Sequence, residues 1–261
     1  MRMTEYMAPG WEKIFAHNGL NDFADFWNLE ADWFEPPNYR RGGWSGASRL
    51  VLADPDGGEQ AVFLKRQENH TRKTWRNPVA GEPTFRGEAR NLRFLNSHDI
   101  AAPQLVYYAE YRSPKGWQVV LATRELTGYV PLDELVDRWR QQGWQKFHEQ
   151  RQRIIPNMAE LIRRLHSYNL VHGALHAKHI FIHPEKAQAC LIDLEKMRRR
   201  LRRRQAMVRD LDTCNRRTFN LSRTDRLRFL LRYLQKDRFD RSARDLWQEL
   251  AALEKRKNAR L

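Results

Sequence analysis

Lys65, Glu88, His179 and Asp193 are side chains of the types that phosphoryl transfer needs, and Ala174 stands where one more would complete the set. That chemistry requires held phosphates, neutralised charge and somewhere for a hydroxyl proton to go. Lys65 closes the apolar run Val62-Phe63-Leu64. An amine among strand residues needs an anion to meet it, and a phosphate would serve. Glu88 follows in a helical pattern and would hold that amine in place; the competing reading is an edge-strand lysine facing water. Asp193 comes at the end of Cys190-Leu191-Ile192, where an unpaired carboxylate is expensive and Mg²⁺ would stabilise it. The alternative is a carboxylate that caps a following helix.

The run Leu170 to Ile182 carries the rest of the pattern. A protein-kinase catalytic loop has the form His-x-Asp-x-x-x-x-Asn between apolar residues. Here His172 takes the first place, His179 the last, and Ala174 the place of the base. A methyl group accepts no proton, and loss of a positioned base typically costs about 10²–10⁴-fold. His176 is the nearest substitute, as a base or as a γ-phosphate contact; an exposed loop histidine fits it equally. His179 either binds a second metal through neutral imidazole or holds the loop by hydrogen bonds. His172 belongs to the catalytic candidates by position and reads best as a structural histidine beneath the loop. Natural degeneration, a rewired active site and a deliberate Asp→Ala change all fit Ala174.

Two further groups belong to the expected nucleotide site. Gly42, Gly43, Ser45 and Gly46 open a hairpin whose backbone N–H groups could lie over phosphates, although the spacing is not Gly-x-Gly-x-x-Gly. Glu125 lies in the Gly-containing link Arg124 to Gly128.

The elements that must position these residues change character along the chain. A short helix is expected over Asn21 to Trp27, capped by Asn21 or Asp22 and ended by Pro36-Pro37. Arg49 to Ala53 and Gln60 to Lys65 form a hairpin about Asp56-Gly57-Gly58, and a basic insert runs from Arg66 to Pro83. Thr84 to Leu95 has helical spacing, and Leu105 to Tyr111 and Trp117 to Ala122 are strands about Ser113-Pro114-Lys115-Gly116. From Pro131 the pattern is helical: Leu132 to Trp139, Ile154 to Tyr168 with the stripe Ile155, Met158, Leu161, Ile162 and Leu165, a helix from Met207, Thr224 to Leu234 and Ala243 to Leu253. The expected fold is α+β, bilobal and protein-kinase-like. Its β-rich N-lobe spans 1–123, its hinge 124–130 and its mainly helical C-lobe 131–261.

Composition narrows the partners. The chain has 261 residues, 41% of them apolar, and a net charge of +15. That suits a globular protein whose field attracts anions such as nucleic acid, an anionic glycolipid or a membrane surface. Lys196 to Arg204 is Lys or Arg apart from Met197 and Leu201, which alone would be a solvated basic face. Cys190 and Cys214 suggest neither a disulfide framework nor a zinc site. No apolar run has the length of a membrane span, and Met1 to Trp11 lacks the apolar core of a signal peptide, so a cytoplasmic setting is expected.

These motifs together resemble the Kdo/WaaP-type lipopolysaccharide kinases and their InaA-like bacterial relatives. The likeness is carried by Arg40 to Gly46, by Asn69 to Arg76 with Pro83 to Glu88, by His172 to Ile182, by Leu191 to Lys196, and by Arg209-Asp210-Leu211 and Ser222 to Arg226. It implies ATP- and Mg²⁺-dependent phosphorylation of a heptose or Kdo hydroxyl in the lipopolysaccharide inner core, at the cytoplasmic face of the inner membrane with peripheral contact to it. The basic stretches Arg66 to Arg76 and 196–204 fit an anionic glycolipid acceptor. Ala174 departs from the family's pattern and leaves a pseudokinase with a nucleotide-binding, regulatory or stress-related role as the alternative. Nucleic acid ranks last, since no binding motif for it accompanies the charge.

Overall fold

Alternation builds the first half. In Arg49-Leu50-Val51-Leu52-Ala53 the even positions are buried and the odd ones exposed, and Val62 and Leu64 are buried beside the half-exposed Phe63 and Lys65. The computed structural model describes residues 4–40, 42–74, 77–79, 81–114, 116–217 and 221–258, and its chain divides into two compact units. The first comprises Met1–His98 and Pro103–Leu126, the second Asp99–Ala102 and Thr127–Leu261. The class is α+β, as expected: a β-rich unit and a mainly helical one.

The first unit contains β1 (Thr4–Met7), α1 (Trp11–His17), α2 (Phe23–Asn28), β2 (Trp33–Arg40), β3 (Gly43–Ala53), β4 (Glu59–Glu68), the short pair β5 (Thr71–Arg72) and β6 (Glu82–Pro83), α3 (Thr84–Ser97), β7 (Leu105–Ser113) and β8 (Gly116–Arg124). Six strands make an antiparallel sheet in the order β1-β7-β8-β4-β3-β2. On one face, Val62, Leu64, Val120 and Ala122 pack beneath Phe15 of α1 and Phe26 of α2. Phe26 stacks on Tyr107 with ring centroids 3.9 Å apart, and Phe15 meets Phe26 edge-on at 5.0 Å. Such pairs add about 0.5–1.5 kcal/mol each beyond burial. Because Leu64 takes the core face, Lys65 points to the other face, toward α3.

Pro36-Pro37 does not end a helix. Asp22 caps α2, which stops at Asn28, and the two prolines lie within β2. Strand β2 is at the sheet edge, paired with β3 alone, and its register slips between Glu35 and Asn38. An edge strand with an irregularity there tolerates residues that cannot donate to a ladder.

The second unit contains β9 (Val130–Pro131), α4 (Leu132–Gln142), α5 (His148–Ser167), β10 (Leu170–Val171), β11 (Ile180–His183), β12 (Gln188–Leu191), β13 (Arg198–Arg199), α6 (Arg203–Arg217), α7 (Arg223–Tyr233) and α8 (Arg241–Asn258). Helix α5 is its axis: Ile155, Met158, Leu161, Ile162 and Leu165 are all buried, and it packs against α7 and β12. It starts six residues before the expected Ile154 and runs through Pro156. Strands β12, β11 and β9 form a small sheet, and β10 pairs with β13. No helix among the described residues is long and apolar enough to cross a membrane.

Candidate active site

In the first unit, strand β4 sets both halves of a charged pair. It lies between β8 and β3, so Lys65 is not an edge-strand lysine. The Lys65 Nζ donates to Glu88 Oε1 at 2.7 Å, and the ring of Phe85 lies 6.0 Å from the amine. Glu88 is 4% exposed. Its helix α3 begins at Thr84, after the N-cap position Pro83, which offers no side-chain cap. Gln67 supplies one from two residues beyond Lys65: its Oε1 accepts from the Phe85 N–H at 3.0 Å and from the Thr84 hydroxyl at 2.8 Å. The strand that carries the lysine thus also seats the helix that carries its partner.

In the second unit, the loop after β10 is held by the side chain of Asp210, on α6. One Asp210 oxygen accepts from the His172 N–H at 2.5 Å and the other from the Gly173 N–H at 2.9 Å. The same carboxylate meets His166 Nε2 at 3.1 Å, and His166 Nδ1 lies 2.7 Å from the Tyr233 hydroxyl. Gly173 has φ +81, and a Cβ there would come within 2.8 Å of the Lys196 carbonyl oxygen, so glycine is required twice over. His172 is fully buried. Its Nε2 faces the Ile192 carbonyl oxygen at 2.9 Å, so that nitrogen carries the proton, and Nδ1 accepts from the Ala174 N–H at 3.4 Å. Burial pushes its pKa down, against a smaller opposing effect of Asp210, and keeps the ring neutral.

His179 ties the loop to Asp193. Its Nδ1 donates to the Ala174 carbonyl at 2.8 Å, which leaves Nε2 facing Asp193 Oδ2 at 3.3 Å. With the ring neutral, two acceptors would oppose each other there, so the pair requires a proton or a cation between them. The Ile192 N–H donates to the His179 carbonyl, and the rings of His176 and His179 meet edge-on at 5.4 Å. Asp193 has φ 57 and makes no side-chain bond to the 3₁₀ turn Leu194–Lys196, so it is not the cap that its place after β12 allowed. Among the described residues there is no cluster of three or more His, Cys, Asp or Glu that could hold a metal.

Residues 24–233 match the lipopolysaccharide kinase (Kdo/WaaP) family. The chain belongs to that family. Protein InaA of Escherichia coli (strain K12) is 30% identical over 192 residues, covering 73% of this chain and 85% of that protein. A solved structure of WaaP in complex with acyl carrier protein superposes with a TM-score of 0.70 over 99% of each chain, at 21% identity.

Several expected site residues of this Kdo/WaaP family member sit otherwise than their spacing suggested. Gly43, Ser45 and Gly46 are not in a loop but in β3, where Gly43 pairs with Arg40, and Ser45 with Asn38 and Gln67; Gly42 alone lies in the turn before it. A Cβ on Gly46 would strike the Trp33 ring at 2.7 Å, and one on Gly43 the Glu68 carbonyl oxygen at 2.0 Å. Close packing therefore explains these two glycines without a ligand. Both Glu125 oxygens are held by Arg49, at 2.7 and 2.8 Å. His172 is enclosed, and its ring is engaged by the Ile192 carbonyl. Arg66, expected in a basic insert facing a glycolipid, belongs to β4 and is 6% exposed; it donates to the Trp27 and Leu29 carbonyls and stacks on Trp33. Arg41, Trp75, Arg76 and Lys115 lie outside the described residues. Spacing did not reveal what Asp210 and Gln67 hold; two carboxylates on the buried side of α6, Asp210 and Asp212, were the available signal for Asp210.

Proposed function

We propose that this chain has the architecture of an ATP-dependent sugar kinase of lipopolysaccharide core synthesis, acting on a heptose or Kdo hydroxyl. The observation that carries this is the Lys65–Glu88 pair at 2.7 Å on a central strand, with Glu88 nearly buried. A buried carboxylate with one exposed-side amine is a costly arrangement for structure alone and a useful one for gripping α- and β-phosphates. Asp193 and His179 would hold a divalent cation between Oδ2 and Nε2, with Asp193 the harder ligand and the better match to Mg²⁺. When bound, that ion would neutralise phosphate charge. Lys65 would orient the nucleotide, and the Asp210-held loop would fix position 174 beside the metal ligands.

A second reading rests on Ala174, which is 3% exposed and offers only a methyl group. Nothing at that position takes the acceptor proton, so a pseudokinase that binds nucleotide without brisk transfer fits the same geometry. His176 is the nearest group that could substitute, and the ring contact with His179 fixes its place. The deciding experiment measures Mg²⁺-dependent ATP binding and phosphate transfer to inner-core lipopolysaccharide, for this chain and for Ala174→Asp. Binding in both with a gain of transfer in the variant supports the kinase architecture. Absence of nucleotide binding in both overturns it. Binding without transfer in either favours the pseudokinase.

A further inference from the structure

We propose that Phe63 and Phe34, on the face of the first-unit sheet that carries Lys65, seat the base of the nucleotide and select it by its flat surface, so that guanine serves about as well as adenine. This rests on the kinase reading and adds what decides the base. Phe63 lies two residues before Lys65 on β4, so the two side chains leave the same face of the strand about 6.7 Å apart. A ribose can bridge that separation. Phe34 of β2 meets the Phe63 ring edge-on, with centroids 5.0 Å apart. Phe63 is half-exposed, Phe34 is 61% exposed, and Val51, on the same face of β3, is 48% exposed. Open apolar rings beside an amine mark a binding surface, and a base joined to phosphates covers the rings while its charge meets the amine.

The neighbours frame this seat without covering it. Ala47 pairs with Lys65 and Thr123 with Phe63, and neither side chain is long enough to close over the ring. Arg49 pairs with Phe63 from β3, and its guanidinium bonds both oxygens of Glu125. That carboxylate therefore accepts no exocyclic amine of adenine. The backbone beside it is engaged as well: the Arg124 N–H donates to the Gln104 carbonyl and the Glu125 N–H to the Ala61 carbonyl. Adenine and guanine differ in the hydrogen bonds of their edges and hardly at all in their faces. A seat made of rings gains from any π-surface and gains most from the larger, purine one.

The test uses binding, not turnover. Mg²⁺–ATP, Mg²⁺–GTP and Mg²⁺–tripolyphosphate, which has no base, are titrated into the full chain at fixed salt. The parent is expected to bind the two purine nucleotides within about threefold of each other and each about tenfold more tightly than tripolyphosphate, the value of one stacked base. Phe63→Leu keeps an apolar side chain and removes the π-face. It is expected to lose about that tenfold for both purines and nothing for tripolyphosphate. Phe34→Ala, on the exposed edge strand, is expected to lose less in the same pattern, and carries the test alone if the melting midpoint shows that Phe63→Leu does not fold. Lys65→Ala is expected to weaken all three ligands. A tenfold or larger preference for ATP over GTP overturns the proposal. So does purine binding that is unchanged or tighter in the phenylalanine variants, or tripolyphosphate that binds the parent as well as ATP. In each of those results, triphosphate binding that depends on Lys65 leaves the kinase reading standing. Failure of the parent to bind any of the three refutes that reading, and the base seat with it.

Discussion

Lys65 and Glu88 in the first unit form a complete ion pair: both charges are present, in contact, and seated by the same strand. The loop from His172 to His179 in the second unit has a complete frame around an incomplete centre. Its backbone is held by Asp210, its histidines by the Ile192 and Ala174 carbonyls, and position 174 carries a methyl group. The contrast shows that the loop's shape does not depend on the base it would present. Backbone N–H groups and two histidine rings fix the turn, so a carboxylate at 174 is free to matter for chemistry alone. In the first unit the functional charges are themselves part of what holds α3 against the sheet.

Restoring the missing group breaks the contrast most directly. Ala174→Asp is expected to raise phosphate transfer to a core acceptor by about 10²-fold or more while Mg²⁺–ATP affinity stays within a few fold, measured by single-turnover kinetics and titration. Removing the frame is the converse. Asp210→Asn leaves one carboxamide oxygen where two acceptors met three donors, and is expected to destabilise the protein by about 1–3 kcal/mol in urea unfolding. Nucleotide affinity at Lys65 would then fall less than stability does. Lys65→Ala is expected to weaken ATP binding by about tenfold, the value of one charge-assisted phosphate contact, with Ala174→Asp showing the same loss. An unchanged affinity would separate the pair from the nucleotide. The smallest effect belongs to Glu125. Its bond to Arg49, slightly opposed by burial, holds its carboxyl below the usual range. The unfolded carboxyl titrates near about 4.3, so the ion pair's stabilisation is full above that pH and is lost as pH falls through the lower folded value. Glu125→Gln should flatten the acid limb of the stability curve slightly, as expected of a pair that is largely solvated.

The parts legible in the sequence were those set by local period. The stripe Ile155 to Leu165 fixed α5, and Val62, Leu64 and Lys65 fixed the faces of β4, because burial there repeats every 3.6 or every 2 residues. Prolines misled in both directions: Pro36-Pro37 sits in an edge strand and Pro156 inside a helix, each allowed by surroundings that the local pattern does not encode. Two-residue strands such as β10 and β13 have no period to read. Lys65, Glu88, Asp193 and His179 stood out by residue type. Gln67 and Asp210 did not, since what they do depends on partners 18 and 38 residues away.

The grip of Asp210 on the loop has a kinetic consequence. The amide hydrogens of His172 and Gly173 end on a carboxylate that belongs to α6, not on any group of their own segment. They exchange with solvent only in states where loop and helix have parted, so their protection measures the local opening free energy of that contact. Two adjacent amides with matched, slow exchange would make the catalytic turn a built-in clock for the breathing of the C-terminal helices.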